Sequence, residues 1–509
     1  MNSHTGRRMA IIDLGSNTAR LVLMNCQPGY AYHLENEIRE VVRLRAGMTQ
    51  KSLSEEAMDR ALFTLRLFRR FCDSQVPDLI LATATSAVRE ADNGREFLRR
   101  VESEVGLKLR LLSGEKEAYY GALGAQNCLV IQDGVILDVG GGSAQISQIV
   151  GGRFRRGCAL SLGAVALTER FVRHDPIDRS ELGRIQREIQ TELQNLEWPR
   201  DSRGPLIALG GTVRNLAKID AKRTGFPLNN INGFTLTRDS LSETIEILRE
   251  QPLAEREKVR GLKKDRADII LPGAMVVLAL MDFLKLGELT VSQYGLREGL
   301  FFEHFWSDLK YPVSLDLRSF SVLNMARFYH YHEEHAQHVR FLAGRLFQQL
   351  QPLHGYGSAE RELLDAAAVL HDVGTTVSYN DHHKHSQALI VGGGLSGFSP
   401  RETALVSLLA RYHRKGTPST NGYTALLSKD DAERLTRLAA ILRMGEYLER
   451  GRAGLVQDVQ ISWDEQQLHI TVVAGEDPTV EIWESQRNAA DLMEQAFKRQ
   501  VRLESFIAL

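Results

Sequence analysis

The hydrophobic pattern in the N-terminal part of the chain predicts short strands and one amphipathic helix. Apolar runs bounded by Gly, Pro or polar residues indicate strands at residues 10–14, 20–24, 78–86 and 107–112. Residues 52–71 instead carry apolar side chains at helical spacing, and Ser52 and Glu55 occupy the positions of a capping box at the start of that helix. We therefore expect a sheet with this helix packed against it.

A second strand-rich block begins near Leu129 and opens like the first. Residues 11–23 and 136–149 both read as an apolar strand, Asp-x-Gly, a small polar turn and a second strand, and Asp138 follows Asp13 by 125 positions. A duplication of this length predicts two related α/β halves, with a cleft between them as the expected site.

Helical periodicity dominates the rest of the chain. Further helices are predicted near residues 180–197, 241–250, 335–350, 362–374, 402–414 and 435–450. The tail adds alternating strands at 459–463 and 468–473 and a helix over 484–499. The predicted fold class is thus α/β with an α-helical domain and a small α+β tail. The expected boundaries are 1–127 and 128–311 for the two halves, 312–452 for the helical domain and 453–509 for the tail.

Length and composition agree with a multidomain globular chain. The 509 residues suit roughly three domains. The 63 Lys and Arg residues and 64 Asp and Glu residues leave a formal net charge of -1, and 25% of the residues are charged. This balance excludes a disordered chain and a globally basic nucleic-acid binder, so we expect no specific nucleic-acid partner.

The sequence has no signal for export or for a membrane. The four cysteines are widely spaced without a CxxC pair, which indicates neither a disulfide framework nor a zinc ribbon. The apolar run before Asp13 is too short for a signal peptide. The longest apolar stretch, residues 269–284, contains Pro272 and Asp282 and is too short to cross a bilayer. We expect a cytoplasmic protein with no membrane association.

Two glycine-rich turns carry the first chemical signal. Residues 15–18 (Gly-Ser-Asn-Thr) and 140–143 (Gly-Gly-Gly-Ser) can point backbone N–H groups at one spot, an arrangement that binds phosphate oxygens. Asp13 and Asp138 precede these turns and offer oxygen ligands to a divalent cation. One such loop alone is more typical of a capped tight turn, but two copies at matching positions favour a phosphate site.

Glu117 lies between the two halves, in the segment 112–118, which predicts a strand running into a helix. A carboxylate in the first helical turn is stabilised by the helix dipole, so a structural role explains it as well as a catalytic one on local grounds. Beside a cleft with two phosphate-binding turns, Glu117 is also placed as a general base for the attack of water on a phosphoryl group.

Six motifs occur in a specific order along the chain. They are DLGSN at 13–17, TATSAVRE at 83–90, SGEKEA at 113–118, DVGGGS at 138–143, GGT at 210–212 and YGLREG at 294–299. In this order they make the chain resemble the exopolyphosphatase and guanosine pentaphosphate phosphohydrolase (Ppx/GppA) family of the actin-like phosphotransferase superfamily. The resemblance covers nearly the whole chain. It implies two duplicated actin-like (ribonuclease H-like) halves, a Mg²⁺-dependent phosphoanhydride hydrolase and a homodimer.

The resemblance also implies roles for individual residues. Glu117 would activate the attacking water, Arg89 would steady the transferred phosphoryl group, and Asp138 would help to hold Mg²⁺, with Asp13 as a further metal ligand. The implied phosphate-binding residues are Ser16, Asn17, Gly140, Gly141, Gly142, Ser143, Gly211, Thr212 and Arg297. The local sequence by itself favours a surface ion pair between Arg89 and an acidic neighbour at position 90 or 92.

One position departs from the family pattern. Where the family usually has GGGSxE, this chain has Gln145, and an amide supplies no charge to a divalent ion and cannot act as a base. We hypothesise that metal dependence is weaker or turnover lower than is usual for the family, or that another carboxylate such as Asp13 compensates.

The helical domain carries a second set of candidate residues: His335, His371, Asp372, His385, His413 and Glu446. The set resembles the HD phosphohydrolase superfamily, whose pattern is a helix His, a His-Asp pair, further His and a final Asp. That resemblance implies a second divalent metal at His335, His371, Asp372 and Glu446, since neighbouring imidazole and carboxylate groups suit such an ion. Because Glu446 stands where Asp is usual, a vestigial domain whose polar residues serve docking is the favoured interpretation. Residues 381–385 are predicted to form a solvated loop.

The sequence therefore predicts an exopolyphosphatase that releases inorganic phosphate from linear polyphosphate. Hydrolysis of guanosine pentaphosphate to the tetraphosphate is the close alternative, because both substrates present the same terminal phosphoanhydride. A kinase of the same superfold, a non-catalytic polyphosphate or alarmone binder, and a hydrolase acting at the HD-like site are further alternatives. Basic clusters at 153–156, 263–266 and 411–415 are typical of solvated faces, although along one groove they would guide a long polyanion.

Overall fold

The computed structural model describes residues 6–48, 51–196, 198 and 204–507. The chain forms two compact units, one made of residues 1–225 and 231–317 and the other of residues 226–230 and 318–509. The finer division into four domains stays a prediction. Among the described residues no helix combines the length and the apolar character needed to cross a membrane.

The first unit opens with a five-stranded sheet in the order β3-β2-β1-β4-β5. Its strands are β1 (Arg7–Leu14), β2 (Thr18–Gln27), β3 (Ala31–Val41), β4 (Leu79–Ala84) and β5 (Arg110–Leu111). Its helices are α1 (Glu55–Gln75), α2 (Ser86–Glu90), α3 (Gly94–Val105) and α4 (Gly114–Gln126). The apolar side of α1 is buried in the same core as β1 and β2, as the hydrophobic pattern predicts.

The capping box predicted for α1 is wrong by two residues. The helix begins after Ser54, whose hydroxyl accepts a hydrogen bond from the Ala57 backbone N–H. Leu53 is buried, and its N–H donates to the Asn93 side chain, so the chain is still outside the helix at that position. Ser52 therefore lies too early to cap α1.

The second half of this unit contains a six-stranded sheet in the order β10-β11-β9-β6-β7-β8. Its strands are β6 (Gly134–Val139), β7 (Ala144–Val150), β8 (Arg153–Leu160), β9 (Leu206–Leu209), β10 (Thr235–Thr237) and β11 (Glu288–Val291). Its helices are α5 (Ala164–Phe171), α6 (Arg179–Gln194), α7 (Gly210–Arg223), α8 (Arg238–Glu250), α9 (Leu253–Arg256), α10 (Ile270–Leu284) and α11 (Leu296–Phe305), with a 3₁₀ turn at Lys264–Arg266.

The two sheets repeat one topology. In each, a hairpin (β1–β2 or β6–β7) is extended by a third antiparallel strand (β3 or β8), and a parallel strand (β4 or β9) lies on the other side of the hairpin. The register repeats as well, because Asp13 lies opposite Arg20 and Asp138 lies opposite Gln145. The predicted α/β fold of two duplicated halves is confirmed.

The second unit is helical and ends in a small sheet. Its helices are α12 (Leu317–Phe328), α13 (Glu333–Gln349), α14 (Gln351–His354), α15 (Ser358–Leu370), α16 (His382–Gly393), α17 (Pro400–Tyr412) and α18 (Lys429–Leu448), with a 3₁₀ turn at Val373–Thr376. The tail contains β12 (Val456–Trp463), β13 (Gln467–Ala474), α19 (Thr479–Asn488), α20 (Ala490–Phe497) and β14 (Gln500–Ile507).

Two predictions about the second unit are wrong. The tail helix expected over 484–499 is divided at Ala489 into α19 and α20, and a further strand, β14, pairs in parallel with β13. The stretch 381–385 is not a solvated loop, because it forms the start of α16 and two of its side chains, His382 and His383, are buried. The polar residues of this stretch predict exposure to solvent, so the sequence does not indicate that these two histidines are buried.

Glycines allow α4 and α11 to pack at very short range in the first unit. A Cβ on Gly299 of α11 would overlap the backbone carbonyl of Tyr120 in α4, and a Cβ on Gly124 of α4 would overlap the backbone of Gly295. These helices carry Glu117 and Arg297, so their separation determines the geometry of the predicted site.

Gly299→Ala is expected to destabilise the first unit by about 1–3 kcal/mol, because the added methyl group forces α4 and α11 apart. Urea unfolding followed by circular dichroism measures the change. Gly183→Ala in α6 is the matched control, since nothing lies within 4 Å of the added Cβ. That variant should be unchanged or more stable by about 0.5–1 kcal/mol, as for Gly to Ala within a helix. Equal stability of the two variants would contradict the tight helix contact.

Candidate active site

Two hairpin turns face each other in the first unit. Each is closed by a backbone hydrogen bond, from Gly15 N–H to the Thr18 carbonyl at 3.1 Å and from Gly140 N–H to the Ser143 carbonyl at 3.0 Å. A Cβ on Gly141 would lie 3.2 Å from the Cβ of Asn17, so the second turn rests directly against the first. The predicted pair of phosphate-binding turns is thus brought together in space.

A cavity of about 130 Å³ lies beside these turns. The residues predicted from the sequence that line it are Asp13, Ser16, Asn17, Glu117, Asp138, Gly140, Gly141, Ser143, Gly211 and Arg297. Two predicted phosphate-binding residues, Gly142 and Thr212, are absent from the described lining. A Cβ on Gly142 would meet the Ser16 and Ser86 hydroxyls, and the Thr212 side chain lies against Gly273.

The helix start places Glu117 at the cavity. Ser113 caps α4 by accepting a hydrogen bond from the Lys116 backbone N–H, and Glu117 follows in the first turn as predicted. Its side chain is only 6% exposed. One carboxylate oxygen accepts from Gln145 Nε2 at 2.9 Å, and the other accepts from Arg89. Burial raises the pKa of Glu117 to about 7, although the adjacent Arg89 acts in the opposite direction.

Arg89 lies behind Glu117 and is absent from the described lining of the cavity. Its Nη1 donates to the Leu112 carbonyl at 2.8 Å and to the Glu117 carboxylate. The acidic neighbour Glu90 pairs with Arg45 instead, at 2.6 Å. A surface pair between Arg89 and Glu90 is therefore excluded, and the arginine holds the orientation of Glu117.

Two aspartates at the strand ends form an oxygen-rich corner of the cavity. Burial raises the pKa of Asp13, and it raises that of Asp138 to about 6. The Asp13 Oδ1 atom is buried and accepts no hydrogen bond from the described residues. A buried carboxylate oxygen without a partner fits a hard divalent cation such as Mg²⁺, which prefers oxygen ligands.

Three arginines that the sequence does not identify as site residues also line the cavity: Arg20, Arg214 and Arg266. Together with Arg297 they place four guanidinium groups around one space. Burial and the charge of Arg297 lower the pKa of Arg20 to about 9, and burial and the charge of Arg39 lower that of Arg266 to about 10. An anion in the cavity would stabilise the charged form of these guanidinium groups.

Two of these four arginines, Arg20 and Arg297, form salt bridges within the described part of the chain, and four carboxylates line the same cavity: Asp13, Glu117, Asp138 and Glu298. The same Glu37 oxygen lies 3.0 Å from Arg297 Nη1 and 3.3 Å from Arg20 Nη1. Arg214 donates to the Gln293 backbone carbonyl at 2.9 Å. Arginine matches phosphate oxygens in a planar fork, so this set suits a ligand with several phosphate groups.

Arg266 belongs to the basic run 263–266, which the sequence indicates as a solvated face. The structure buries it instead, and its guanidinium occupies the space that a Cβ on Gly211 would need. Its neighbour Asp265 pairs with Arg39. Arg266 is identified as a site residue by its proximity to Gly211 of the GGT motif in the folded chain. The sequence does not show this proximity.

A second group of predicted residues comes together in the other compact unit. His335, His371, Asp372 and Glu446 are buried near one another, and His413 joins them. The predicted His385 lies outside these groups of described residues. His382, one helical turn earlier in the same histidine-rich run, belongs to one of these groups instead, and the sequence does not identify it because the whole run is polar.

Comparison with known proteins gives two family matches. Residues 27–307 match the model of the Ppx/GppA phosphatase family, and residues 317–482 match the model of Ppx/GppA phosphatase domain III. Among solved structures, a Ppx/GppA family member from Aquifex aeolicus is 29% identical, with a TM-score of 0.51 over 58% of this chain and 96% of that chain. An exopolyphosphatase from Cytophaga hutchinsonii is 25% identical, with a TM-score of 0.56 over 60% of this chain and 100% of that chain.

Gly211→Ala is expected to weaken binding of inorganic triphosphate about tenfold to a hundredfold, the value of one charge-assisted hydrogen bond. The added methyl group displaces the Arg266 guanidinium from the cavity, while the flexible side chain can move without unfolding the protein. Isothermal titration calorimetry measures the affinity. Gly287→Ala, whose Cβ would meet nothing within 4 Å, is the control and should bind as the wild type does. Unchanged affinity in Gly211→Ala would exclude Arg266 from the anion site.

Proposed function

The chain belongs to the Ppx/GppA phosphatase family, and from that premise we propose that it hydrolyses the terminal phosphoanhydride bond of linear polyphosphate and releases inorganic phosphate. The observation that carries this proposal is the set of four arginines around one cavity that also contains a buried carboxylate, Glu117. The arginines attract a chain of phosphates, and the carboxylate supplies the base that hydrolysis needs.

In the proposed reaction, Glu117 accepts a proton from the water that attacks the terminal phosphorus in line. A base with a pKa of about 7 is ionised in a large fraction of molecules near neutral pH and is still basic enough to take the proton. Arg89 and Gln145 hold one oxygen each, so the carboxylate is oriented before substrate binds. The arginines and the N–H groups of the two turns stabilise the negative charge on the phosphoryl oxygens.

Asp138 and Asp13 are the residues that would hold Mg²⁺. When bound there, the ion supplies charge neutralisation for the phosphate oxygens beside the bond that breaks. The two aspartates belong to equivalent strand ends of the two halves, so the same hairpin geometry presents both carboxylates to the cavity. Asp13, whose Oδ1 has no hydrogen-bond partner among the described residues, is the carboxylate that compensates for the neutral Gln145.

The lining of the cavity favours polyphosphate over guanosine pentaphosphate as the first substrate. None of the described residues that line it is aromatic, so the cavity itself offers no ring on which a guanine base could stack. The similarity to the solved exopolyphosphatase from Cytophaga hutchinsonii also favours polyphosphate as the substrate. Guanosine pentaphosphate remains the second candidate, because its terminal phosphates present the same groups to the same arginines.

Glu117→Gln is expected to reduce phosphate release from long-chain polyphosphate about 10²-fold to 10⁴-fold, since it removes the general base while keeping the side-chain shape. Initial rates at several Mg²⁺ concentrations measure the effect, with guanosine pentaphosphate assayed in parallel. Glu115→Gln is the matched control, because this exposed carboxylate lies in the same helical turn. It should retain the wild-type rate.

Each outcome of this experiment has a defined meaning. Loss of activity in Glu117→Gln alone supports the proposed base, and the faster substrate identifies the preferred reaction. A Glu117→Gln enzyme with the wild-type rate would exclude the mechanism. A wild-type protein that binds polyphosphate but releases no phosphate at any Mg²⁺ concentration would refute the enzymatic proposal in favour of a binding role.

The contact between Gln145 and Glu117 generates a pH prediction. For the wild type, log kcat/KM should rise with pH below about 7 and level off above it, because Glu117 must be ionised. Gln145→Glu replaces a hydrogen-bond donor with a second carboxylate beside Glu117. Because a neighbouring negative charge opposes the ionisation of Glu117, the rise in kcat/KM should move to higher pH. At pH 6, kcat/KM should fall about tenfold for each pH unit by which the rise moves.

Gln148→Glu is the control for this prediction. It introduces the same charge on the same strand, but position 148 faces Arg156, whose Nε lies 2.9 Å from the Gln148 Oε1 atom. Its pH profile should match that of the wild type. Identical profiles for Gln145→Glu and the wild type, with an unchanged Mg²⁺ requirement, would refute both the orienting role of Gln145 and the hypothesis that this residue weakens metal dependence.

A further inference from the structure

We propose that Glu37 is an internal counter-ion of the active-site cavity, which weakens the binding of inorganic phosphate and thereby favours its release after hydrolysis. Glu37 lies on β3, the outermost strand of the first sheet, and belongs to none of the six sequence motifs. Its effect on product release rests on the proposed function. Its effect on phosphate affinity does not require hydrolysis.

One oxygen of the Glu37 carboxylate contacts two of the four cavity arginines. Oε1 accepts hydrogen bonds from Arg297 Nη1 at 3.0 Å and from Arg20 Nη1 at 3.3 Å. The two arginines belong to different elements, α11 and β2. Their side chains are 10% and 16% exposed, whereas the side chain of Glu37 is 40% exposed. The carboxylate therefore reaches two largely buried cations from the solvent side.

The strand register explains how a charge on the outermost strand reaches the cavity. Arg20 on β2 lies opposite Asp13 on β1 and opposite Arg39 on β3. Side chains alternate between the two faces of a strand, so Glu37, two residues before Arg39, shares its face and lies diagonal to Arg20. Two like charges directly opposite each other are unfavourable. The Glu37 carboxylate offsets this repulsion at Arg20.

The charge balance of the cavity makes one further carboxylate significant. Four arginines and four carboxylates line the cavity. Glu37 is absent from this described lining and adds a fifth negative charge directly beside it. Burial tends to raise the pKa of Glu37, but Arg297 and Arg20 hold it below its usual range, so the residue is ionised at neutral pH. Inorganic phosphate is an anion, so this charge opposes its binding.

The four carboxylates of the lining have further tasks. Three of them are the proposed cation ligands and the proposed base. The fourth, Glu298, accepts a hydrogen bond from the Gly295 backbone N–H at 2.8 Å and so caps α11. The charge of Glu37 can therefore be removed without the loss of a metal ligand, the base or that helix cap.

Weak binding of the product has a direct use in this site. A single phosphate and the end of a phosphate chain present the same kind of oxygen to the same arginines. If the cavity held the released phosphate tightly, its departure would limit the rate of turnover. A fixed negative charge beside Arg20 and Arg297 lowers the affinity for phosphate while both arginines stay in place.

Titration of the full-length protein with inorganic phosphate at one fixed Mg²⁺ concentration tests the proposal. Glu37→Gln keeps an oxygen that accepts hydrogen bonds from both guanidinium groups but removes the charge. Its dissociation constant for phosphate, measured by isothermal titration calorimetry, should be about threefold to thirtyfold lower than that of the wild type. The difference should shrink when KCl is raised from about 0.1 M to about 1 M, because salt screens a partly exposed charge.

Two further variants serve as controls, with circular dichroism to check that each protein is folded. Glu35→Gln removes the same charge from the same face of β3, but Glu35 pairs with Arg8 at 3.0 Å. It should bind phosphate as the wild type does. Glu37→Asp retains the charge on a shorter side chain and should also stay close to the wild type.

Each outcome of the titration decides the role of Glu37. Phosphate affinity that is unchanged or weaker in folded Glu37→Gln would overturn the proposal, as would equal tightening in Glu35→Gln or Glu37→Asp. Absence of phosphate binding in both the wild type and Glu37→Gln would overturn it as well.

Product inhibition gives a second readout that depends on the proposed function. Inhibition of polyphosphate hydrolysis by phosphate should strengthen in Glu37→Gln by the same factor as the affinity. A wild type that hydrolyses no polyphosphate would refute the proposed function, while the phosphate titration would still decide whether Glu37 acts as a counter-ion.

Discussion

The first unit depends on backbone approaches that only glycine allows. The turns that follow β1 and β6 meet where Gly141 and Gly142 lie against the side chains of Ser16 and Asn17. The same constraint operates between α4 and α11, whose contact leaves no room for a Cβ on Gly299. Because these contacts join the two halves from inside, they bring carboxylates and guanidinium groups from many separate elements into one small cavity. Substituting such glycines would damage the site first and the individual sheets much less.

Much of the fold and part of the site follow from the sequence because their signals are local or repeated. The duplication is visible as a constant offset, and both sheets confirm it. Glu117 is predicted in a first helical turn because the change from strand to helix is encoded within a few residues, and the structure shows that Ser113 caps this helix. The position of Arg20, Arg214 and Arg266 at the cavity depends on long-range packing. In sequence these arginines resemble surface residues, since nothing next to Arg266 shows that Gly211 will leave space for it.

The histidine-rich run at 381–385 shows that a sequence pattern does not identify the single residue that joins a buried site. His382 and His385 are three residues apart, and the sequence pattern led to His385, which lies outside the groups of possible ligands among the described residues. The start of α16 determines which of the two side chains is buried beside the other possible ligands. Asp381, directly before the helix, adopts a positive φ of 56°. One residue of change in the helix start would rotate the following side chains by about 100°. Tertiary packing, which fixes that start, thus selects the histidine that is buried beside the other possible ligands.

The repeated strand register has a consequence for how this site can change during evolution. Arg20 and Gln145 occupy equivalent positions in the two hairpins, each opposite an aspartate, yet one is a cation and the other a neutral amide. The main-chain pairing is the same in both, so it does not require a particular side chain at either position. A mutation there alters the charge balance of the cavity without a matching change in the sheet. The duplicated framework therefore lets the two halves differ in charge while both keep the same main-chain geometry.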